Sequence, residues 1–467
     1  MAGALAAKLL LARGFAALAR LRGGGATSAP GRLLLTLAPD AIATLGARLQ
    51  RGSVLVSATN GKTTTAALAA GILQQAGVSL VHNRAGANMA GGVATALLAA
   101  TRPRTQIDGE LGLFEVDELW LDAVAAQLKP RAVLLANLFR DQLDRYGELE
   151  AIVERWQHSL RAERLVLNAD DPLVADLGRE HPGALYFGVE DDSLALAGMA
   201  HAADAKHCRR CGAPYVFDAV YLGHLGHYHC PSCGARRPSP AVSAREVVLH
   251  GVRAAGFTLR TPAGEGRIEL ELPGLYNVYN ALAAAALATA LDVPLPDILA
   301  GLGRARAAFG RAERLRLSTA RAGVAGGAPA PELQIMLVKN PAGANEVLRT
   351  LALEPGRHDL LGVLNDKIAD GRDVSWIWDA DFELLAARIR RFTCSGTRAE
   401  ELAVRLKYAG MEPARLHVQR DLDAALQSAA VEASGAGSPL YALPTYTAML
   451  SLRELLVARG EASSAWA

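Results

Sequence analysis

The sequence predicts a multidomain α/β protein built on parallel sheets. Short apolar runs that end in polar residues alternate with helical stretches, the pattern of a parallel sheet covered by helices. A length of 467 residues exceeds one core at about 100–200 residues per domain. With 51% hydrophobic and 21% charged residues, the chain has the apolar material for several cores and too little charge for general disorder.

The stretch from Met1 to Arg22 is rich in Ala and Leu, but Lys8, Arg13, Arg20 and Arg22 interrupt it. It offers no uncharged run near the roughly 18 residues of a spanning helix, so no transmembrane segment or signal peptide is expected. Two readings stay open: a helix packed on the next domain, or an amphipathic helix making peripheral contact with a membrane. A Gly/Ser/Pro stretch, Gly23 to Gly31, follows, and residues 1–52 are expected to form a helical extension. Ser53 to Ser57 is the first clear strand, followed by a helix from Thr64 to Gln75. Leu111 to Val116, Ala132 to Asn137 and Arg164 to Asn168 repeat the strand form. Residues 207–237 break it with cysteines, histidines and arginines, as an inserted module would. A helix is expected over Ala281 to Leu291 and a surface loop over Ala322 to Pro331. A second α/β unit, 332–467, follows the first, 53–320, with strands at Ile335–Val338, Leu360–Leu364, Arg391–Cys394 and Leu440–Leu443. The sequence holds no internal repeat.

Ligands of such sheets gather at the carboxyl ends of the strands. Ser57-Ala58-Thr59-Asn60-Gly61-Lys62-Thr63-Thr64-Thr65 stands at such an end and reads as an ATP phosphate-binding loop. Gly61 lets the backbone approach phosphate, Lys62 supplies a point charge, and Thr63 offers a hydroxyl to Mg²⁺. Asn60 and Thr64 flank these residues. Val56 occupies the place of the first glycine in the full GxxxxGK[ST] pattern, so the strand–loop–helix context carries the assignment. Glu115, Asp117 and Glu118 end the next strand, and Glu115 is the first candidate for Mg²⁺ or its bound water. Arg140, Asp141 and Asp144 lie at the strand end after that.

Cys208-x2-Cys211 and Cys230-x2-Cys233 have the knuckle spacing of a closed, structural four-thiolate zinc site, a zinc ribbon. Such tight pairs suit a reducing cytosol better than a secreted disulfide framework. His207, His224, His227 and His229 are expected at the surface or behind the ligands. Arg209, Arg210, Arg236 and Arg237 form a solvated basic face or touch a phosphate, and Cys394 is a buried structural thiol. A formal charge of +2 gives no broad field for nucleic acid.

Leu272-Pro273-Gly274-Leu275-Tyr276-Asn277-Val278-Tyr279-Asn280, taken with the phosphate loop, resembles the Mur ligases. By that match Asn277 and Asn280 lie at the nucleotide; by their residue types alone they would cap a helix. The resemblance narrows to the MurT family, the ligase subunits of lipid II isoglutaminyl synthase. It is carried by His82 to Met89, Arg140-Asp141-Gln142-Leu143-Asp144-Arg145, the four-cysteine insertion, and Asn365-Asp366-Lys367-Ile368-Ala369-Asp370-Gly371-Arg372-Asp373. The amino-acid-adding Mur ligases use a carbamylated lysine that this chain lacks, with no lysine from Pro130 to Ala205, and Gln142 stands for their usual metal-site histidine.

The resemblance implies a Mur ligase-like ATPase domain with the zinc ribbon inserted in it, followed by a Rossmann-like domain. It implies that ATP and Mg²⁺ activate the α-carboxylate of D-glutamate in lipid II as an acyl phosphate. Ammonia then comes from a GatD-like glutamine amidotransferase subunit in a heterodimer. It further implies that Asp373, or failing it Asp370, completes the partner's Cys/His pair, with capping of a helix from Val374 as the alternative, and that Asp366 lies near the nucleotide. The cytoplasm, either free or at the inner membrane face, is the expected location. Two other classes stay open: an amino-acid-adding Mur or folate-type ligase, and a non-catalytic ATP-binding zinc-ribbon scaffold.

Overall fold

The computed structural model describes residues 2–21, 27–83, 87–102, 106–141, 149–159, 162–199, 203–306, 311–318 and 331–463. Gln142 to Arg145, Arg84 to Gly86 and most of the 322–331 loop lie outside these residues. Three helices open the chain: α1 (Ala2–Leu21), α2 (Ala29–Leu37) and α3 (Ala41–Gly46). The first strand, β1 (Ser53–Ser57), then enters a nine-stranded sheet and is buried along its whole length, as a strand covered on both faces must be. Its side chains alternate with the period of two. Val54 and Val56 enter one core and Leu55 the other, so each face of the sheet has its own cluster.

Helix α4 (Lys62–Gln75) returns to β2 (Leu80–His82), α5 (Ala90–Ala100) to β3 (Leu111–Glu115), and α6 (Leu121–Leu128) to β4 (Ala132–Leu135). After α7 (Leu149–Ser159), β5 (Arg164–Asn168), α8 (Pro172–Asp176) and β6 (Ala184–Val189) complete the parallel part. Leu55 is in register with Phe114 of β3 and Val133 of β4, which aligns the carboxyl ends of the three strands. Hairpin β7 (Val216–Leu222) and β8 (Leu225–His229) stands apart from the sheet, while β9 (Val242–His250), β10 (Ala254–Thr261) and β11 (Gly264–Leu270) extend it. Sheet order is β11-β10-β9-β6-β5-β4-β1-β3-β2, with β9–β10–β11 antiparallel.

Helix α9 (Leu275–Ala290) begins at Leu275, earlier than expected from Ala281. Tyr and Asn in its first two turns are weak helix formers, but burial of nearly every side chain overrides propensity. After α10 (Leu295–Gly303), the second sheet runs β12-β13-β17-β14-β15-β16. It comprises β12 (Arg311–Arg316), β13 (Glu332–Met336), β14 (His358–Val363), β15 (Ile389–Ser395), β16 (Leu416–Val418) and β17 (Leu440–Pro444). Only β12 is antiparallel. Helices α11 (Pro341–Ala352), α12 (Ala399–Tyr408), α13 (Leu422–Gly435) and α14 (Tyr446–Ala458) accompany it, again with a core on each face. No helix among the described residues is long and apolar enough to cross a membrane.

Candidate functional site

The phosphate-binding loop is fixed by the neighbouring strand end before any ligand arrives. Asn137, just beyond β4, accepts from the Asn60 N–H at 2.9 Å and donates back to the Asn60 carbonyl at 2.9 Å. The Thr59 hydroxyl accepts from the Phe139 N–H at 3.0 Å. Gly61 is the N-cap of α4 at φ +82°, a left-handed conformation that favours glycine. A Cβ there would also lie 2.0 Å from Asn280 Oδ1, so a side chain would displace the Asn280 amide. The helix dipole and loop N–H groups form the kind of terminus that receives phosphate.

Lys62 is buried and donates to the Ala58 carbonyl and to Glu118, at 2.8 Å from its Oε2. Burial alone would lower its pKa, but Glu118, Asp117 and Glu115 outweigh that and hold the ammonium above its ordinary range. The Thr63 hydroxyl lies 3.0 and 2.9 Å from the two Glu115 oxygens. Asn83 bonds both the backbone N–H and the carbonyl of Glu115, fixing the strand end from below. The buried Glu115 carboxylate and the Thr63 hydroxyl beside it are hard oxygens, the donor type a divalent cation takes.

Asn277 and Asn280 are brought to this loop. Asn280 accepts from the Thr65 hydroxyl at 3.2 Å and donates to Asn277 Oδ1 at 3.0 Å, and Asn277 donates to the Pro273 carbonyl at 2.8 Å. Neither is the helix cap, a place taken by Gly274. Glu115, Lys62, Thr63, Asn277 and Asn280 line one cleft of about 350 Å³ with Tyr276 and Glu346. Burial raises the Glu346 carboxyl pKa, partly opposed by Arg349.

The far wall comes from the C-terminal sheet. Asn340 shares reciprocal amide contacts with Asn60 at 3.0 and 3.2 Å, and Lys339 pairs with Asp141. The other Asp141 oxygen is buried without a hydrogen-bond partner, an unfilled acceptor at the cleft. Arg140 pairs with Asp204 instead, and Asp144 lies outside the described residues. Lys339 and Asn340 escaped the sequence analysis; the Asn-Pro pair of Asn340 signals only a helix start, and Asn340 does cap α11.

Asp366 is not brought to the phosphate loop. Its carboxylate is bonded by Thr397 at 2.8 Å and Arg398 at 2.8 Å, which hold its pKa below the ordinary range, at a neighbouring groove with Lys367 and Thr447. Asp370 is buried and taken up by the backbone N–H (2.7 Å) and hydroxyl of Thr447. Asp373 is exposed. Its Oδ1 accepts the Ser375 N–H at 2.8 Å, which lowers its pKa, and the segment after it is a single 3₁₀ turn, Ser375–Asp379.

The four cysteines converge, with all four sulfurs within 4.8 Å of one another. Cys208–Cys233 at 3.6 Å and Cys211–Cys230 at 3.5 Å are far too long for disulfides and near the ~3.8 Å edge of a tetrahedron with Zn–S bonds of about 2.3 Å. Each pair is followed by a glycine at φ +73°, Gly212 or Gly234, which closes the knuckle. The Cys233 N–H is foremost in lowering the Cys230 thiol pKa. At Cys233 the Ala235 N–H is outweighed by burial and the neighbouring thiols, which raise the pKa, so it is the convergence of the four sulfurs that fits a metal. Cys394 is a buried thiol in β15 with its pKa pushed up by burial.

The insertion is bound to the site more tightly than a solvated face would be. Arg237 is half-buried, bonded to Asp170 at 2.6 Å and Glu190 at 2.6 Å, and Arg209 bonds Asp176 at 3.1 Å. Tyr279 of α9 donates to the same Asp170 at 2.7 Å. His224, fully buried at the hairpin tip, packs against Phe139 with the rings tilted by 48° and faces Asp171 at 3.4 Å. Leu222 and Leu225 beside it line the nucleotide-side cleft.

Comparison with known proteins agrees with this arrangement. The "MurT ligase C-terminal" family model matches residues 337–449 and the "Mur ligase middle domain" model residues 56–214. The lipid II isoglutaminyl synthase (glutamine-hydrolyzing) subunit MurT of Streptococcus pneumoniae is 32% identical over 442 residues, 93% of each chain. Its counterpart from Staphylococcus aureus is 31% identical over 440 residues, 94% of each. A pseudomurein peptide ligase type C from Methanothermus fervidus shares the fold at TM-score 0.65 and 24% identity, over 89% of this chain and 80% of that one. With a phosphate loop, paired asparagines and four-cysteine module on a Mur ligase fold, and with such relatives along almost its whole length, the chain belongs to the MurT family of Mur ligases.

Proposed function

We propose that this chain is the amide-forming subunit of a glutamine-hydrolysing ligase that converts the D-glutamate of the lipid II stem peptide to D-isoglutamine. The observation that carries the reading is the end-to-end match to MurT subunits of lipid II isoglutaminyl synthase. A carboxylate oxygen of the substrate attacks the γ-phosphorus of ATP, ADP leaves, and an acyl phosphate forms. Ammonia then attacks the carbonyl carbon, loses a proton, and expels phosphate. Activation replaces a poor leaving group with a good one.

In this reading the loop N–H groups from Gly61 to Thr64 hold the phosphates, and Lys62 swings from Glu118 to the transferring phosphoryl group, where its charge counts most. Thr63 and Glu115 would hold Mg²⁺, which supplies charge neutralisation. Asn280, held by Asn277, sets the wall against Gly61, and the Asn60–Asn340 contact closes the C-terminal domain over the cleft. Asp373, exposed and accepting the Ser375 N–H at the start of the 3₁₀ turn, would orient a histidine of a partner glutaminase, the role that the MurT match supports. Asp370, consumed by Thr447, instead holds the loop. The cysteines hold a structural zinc ion, and the protein works in the cytoplasm at the inner face of the membrane.

The test is ADP release with lipid II, ATP, glutamine and the partner glutaminase, each omitted in turn, together with the product mass. Dependence on all four with an amide product supports the reading. ADP release without lipid II, or a product carrying an added amino acid, overturns it.

A further inference from the structure

Helix α1 has an apolar face beyond the one its packing uses. Leu9 and Ala12 join the core made with α2 and α5, and Ala16 is buried one turn further on. On the opposite side Leu10 and Leu11 are 67% and 64% exposed, and Phe15 and Leu18 are exposed at helical spacing below them. Only alanine and glycine occupy the exposed positions between these four. At 100° per residue, Lys8 and Arg13 fall on the two edges of this strip, both half-buried, as stems that lie along the helix and lift their charges outward would be.

The charge around the strip selects among occupants. From Met1 to Pro39 the sequence has five basic residues and no carboxylate, while the whole chain carries only +2, so the rest of the protein is net negative. A second copy would set this basic segment against another basic segment. An anionic bilayer satisfies both the apolar strip and its basic edges.

We propose that α1 lies on an anionic phospholipid surface, with Leu10, Leu11, Phe15 and Leu18 at the acyl boundary and Lys8 and Arg13 among the headgroups. The inference rests on the proposed reaction only for its use, since a lipid-linked substrate lies in that surface. Helix α1 packs on α5, which begins beside Met89 at the rim of the cleft, so the same contact orients the site.

The test is co-sedimentation of the full chain with vesicles of phosphatidylglycerol and phosphatidylcholine, against phosphatidylcholine alone. Binding to the anionic vesicles is expected, weakened at least about tenfold by Leu11→Glu/Phe15→Glu and, separately, by Lys8→Glu/Arg13→Glu. ATP binding by both variants reports an intact fold, and if one fails it the other decides. Absence of binding to anionic vesicles, or binding unchanged in the folded variants, overturns the proposal. So does a wild-type dimer that Leu11→Glu/Phe15→Glu makes monomeric. Amidation of detergent-dispersed lipid II is scored separately: activity without vesicle binding removes the docking surface alone, and binding without activity removes the reaction alone.

Discussion

Gly61→Ala probes the junction on which the phosphate loop and α9 depend. At φ +82° an alanine costs about 1–2 kcal/mol in backbone energy. Its Cβ would stand 2.0 Å from Asn280 Oδ1 and 2.9 Å from Cγ, so Asn280 must turn away and release Thr65 and Asn277. Each of those hydrogen bonds is worth about 0.5–1.5 kcal/mol, which brings the total to roughly 2–5 kcal/mol. Asn280→Ala removes the obstructing amide in advance. The double variant is therefore expected to be more stable than the sum of the two single losses predicts, by about 1–3 kcal/mol. The assay is urea unfolding, followed through the transition that ATP shifts, for all four members of the cycle. Additivity within about 0.5 kcal/mol would refute the claim that Asn280 occupies the space a side chain at position 61 needs.

Lys62→Met leaves Glu118 buried without its ammonium, at a cost of about 3–5 kcal/mol, and should lower ATP turnover at least about 100-fold in steady-state assays. Because the folded-state pKa of Lys62 is raised, its stabilising charge is fully present below the unfolded value and is lost only as pH rises through the higher native one. Turnover should therefore show no alkaline limb from Lys62 between roughly pH 7 and 9, as a pH–rate profile checks. Asp373→Asn should abolish glutamine-dependent amidation and spare amidation driven by added ammonium, whereas Asp370→Ala should weaken both by releasing Thr447 and destabilise the protein by about 1–3 kcal/mol in thermal unfolding. Chelation should remove zinc, measured by elemental analysis, and weaken ATP binding by about tenfold in calorimetry as Leu222 and Leu225 leave the cleft wall.

What could be read from the sequence was mostly local. The strand, the Gly61-Lys62-Thr63 turn and the helix are contiguous, so apolar runs and residue types suffice to place them, and the cysteine pairs carry their own spacing. Asn277 and Asn280 were legible only by resemblance, because the Asn280–Thr65 contact that joins them to the loop crosses more than 200 positions of chain. Asn340 lies 280 positions from Asn60 and Lys339 198 from Asp141, and they left no local sign beyond a helix cap. Arg237 was misjudged for the same reason: a basic run looks solvated until the fold supplies Asp170 and Glu190. Asp366 is bonded instead by Thr397 and Arg398, which follow β15 in the turn before α12 and lie 31 and 32 positions away in the chain.

The most direct test of the account follows nitrogen. With glutamine labelled with ¹⁵N at its side-chain amide, and with ATP, lipid II and the partner glutaminase, the label should appear in the α-amide of D-isoglutamine, matched by ADP. Labelled ammonium should deliver it without the partner. Label-free product carrying a new amino acid, or ADP formed with no labelled amide in lipid II, would contradict the assignment of this chain as the amide-forming subunit.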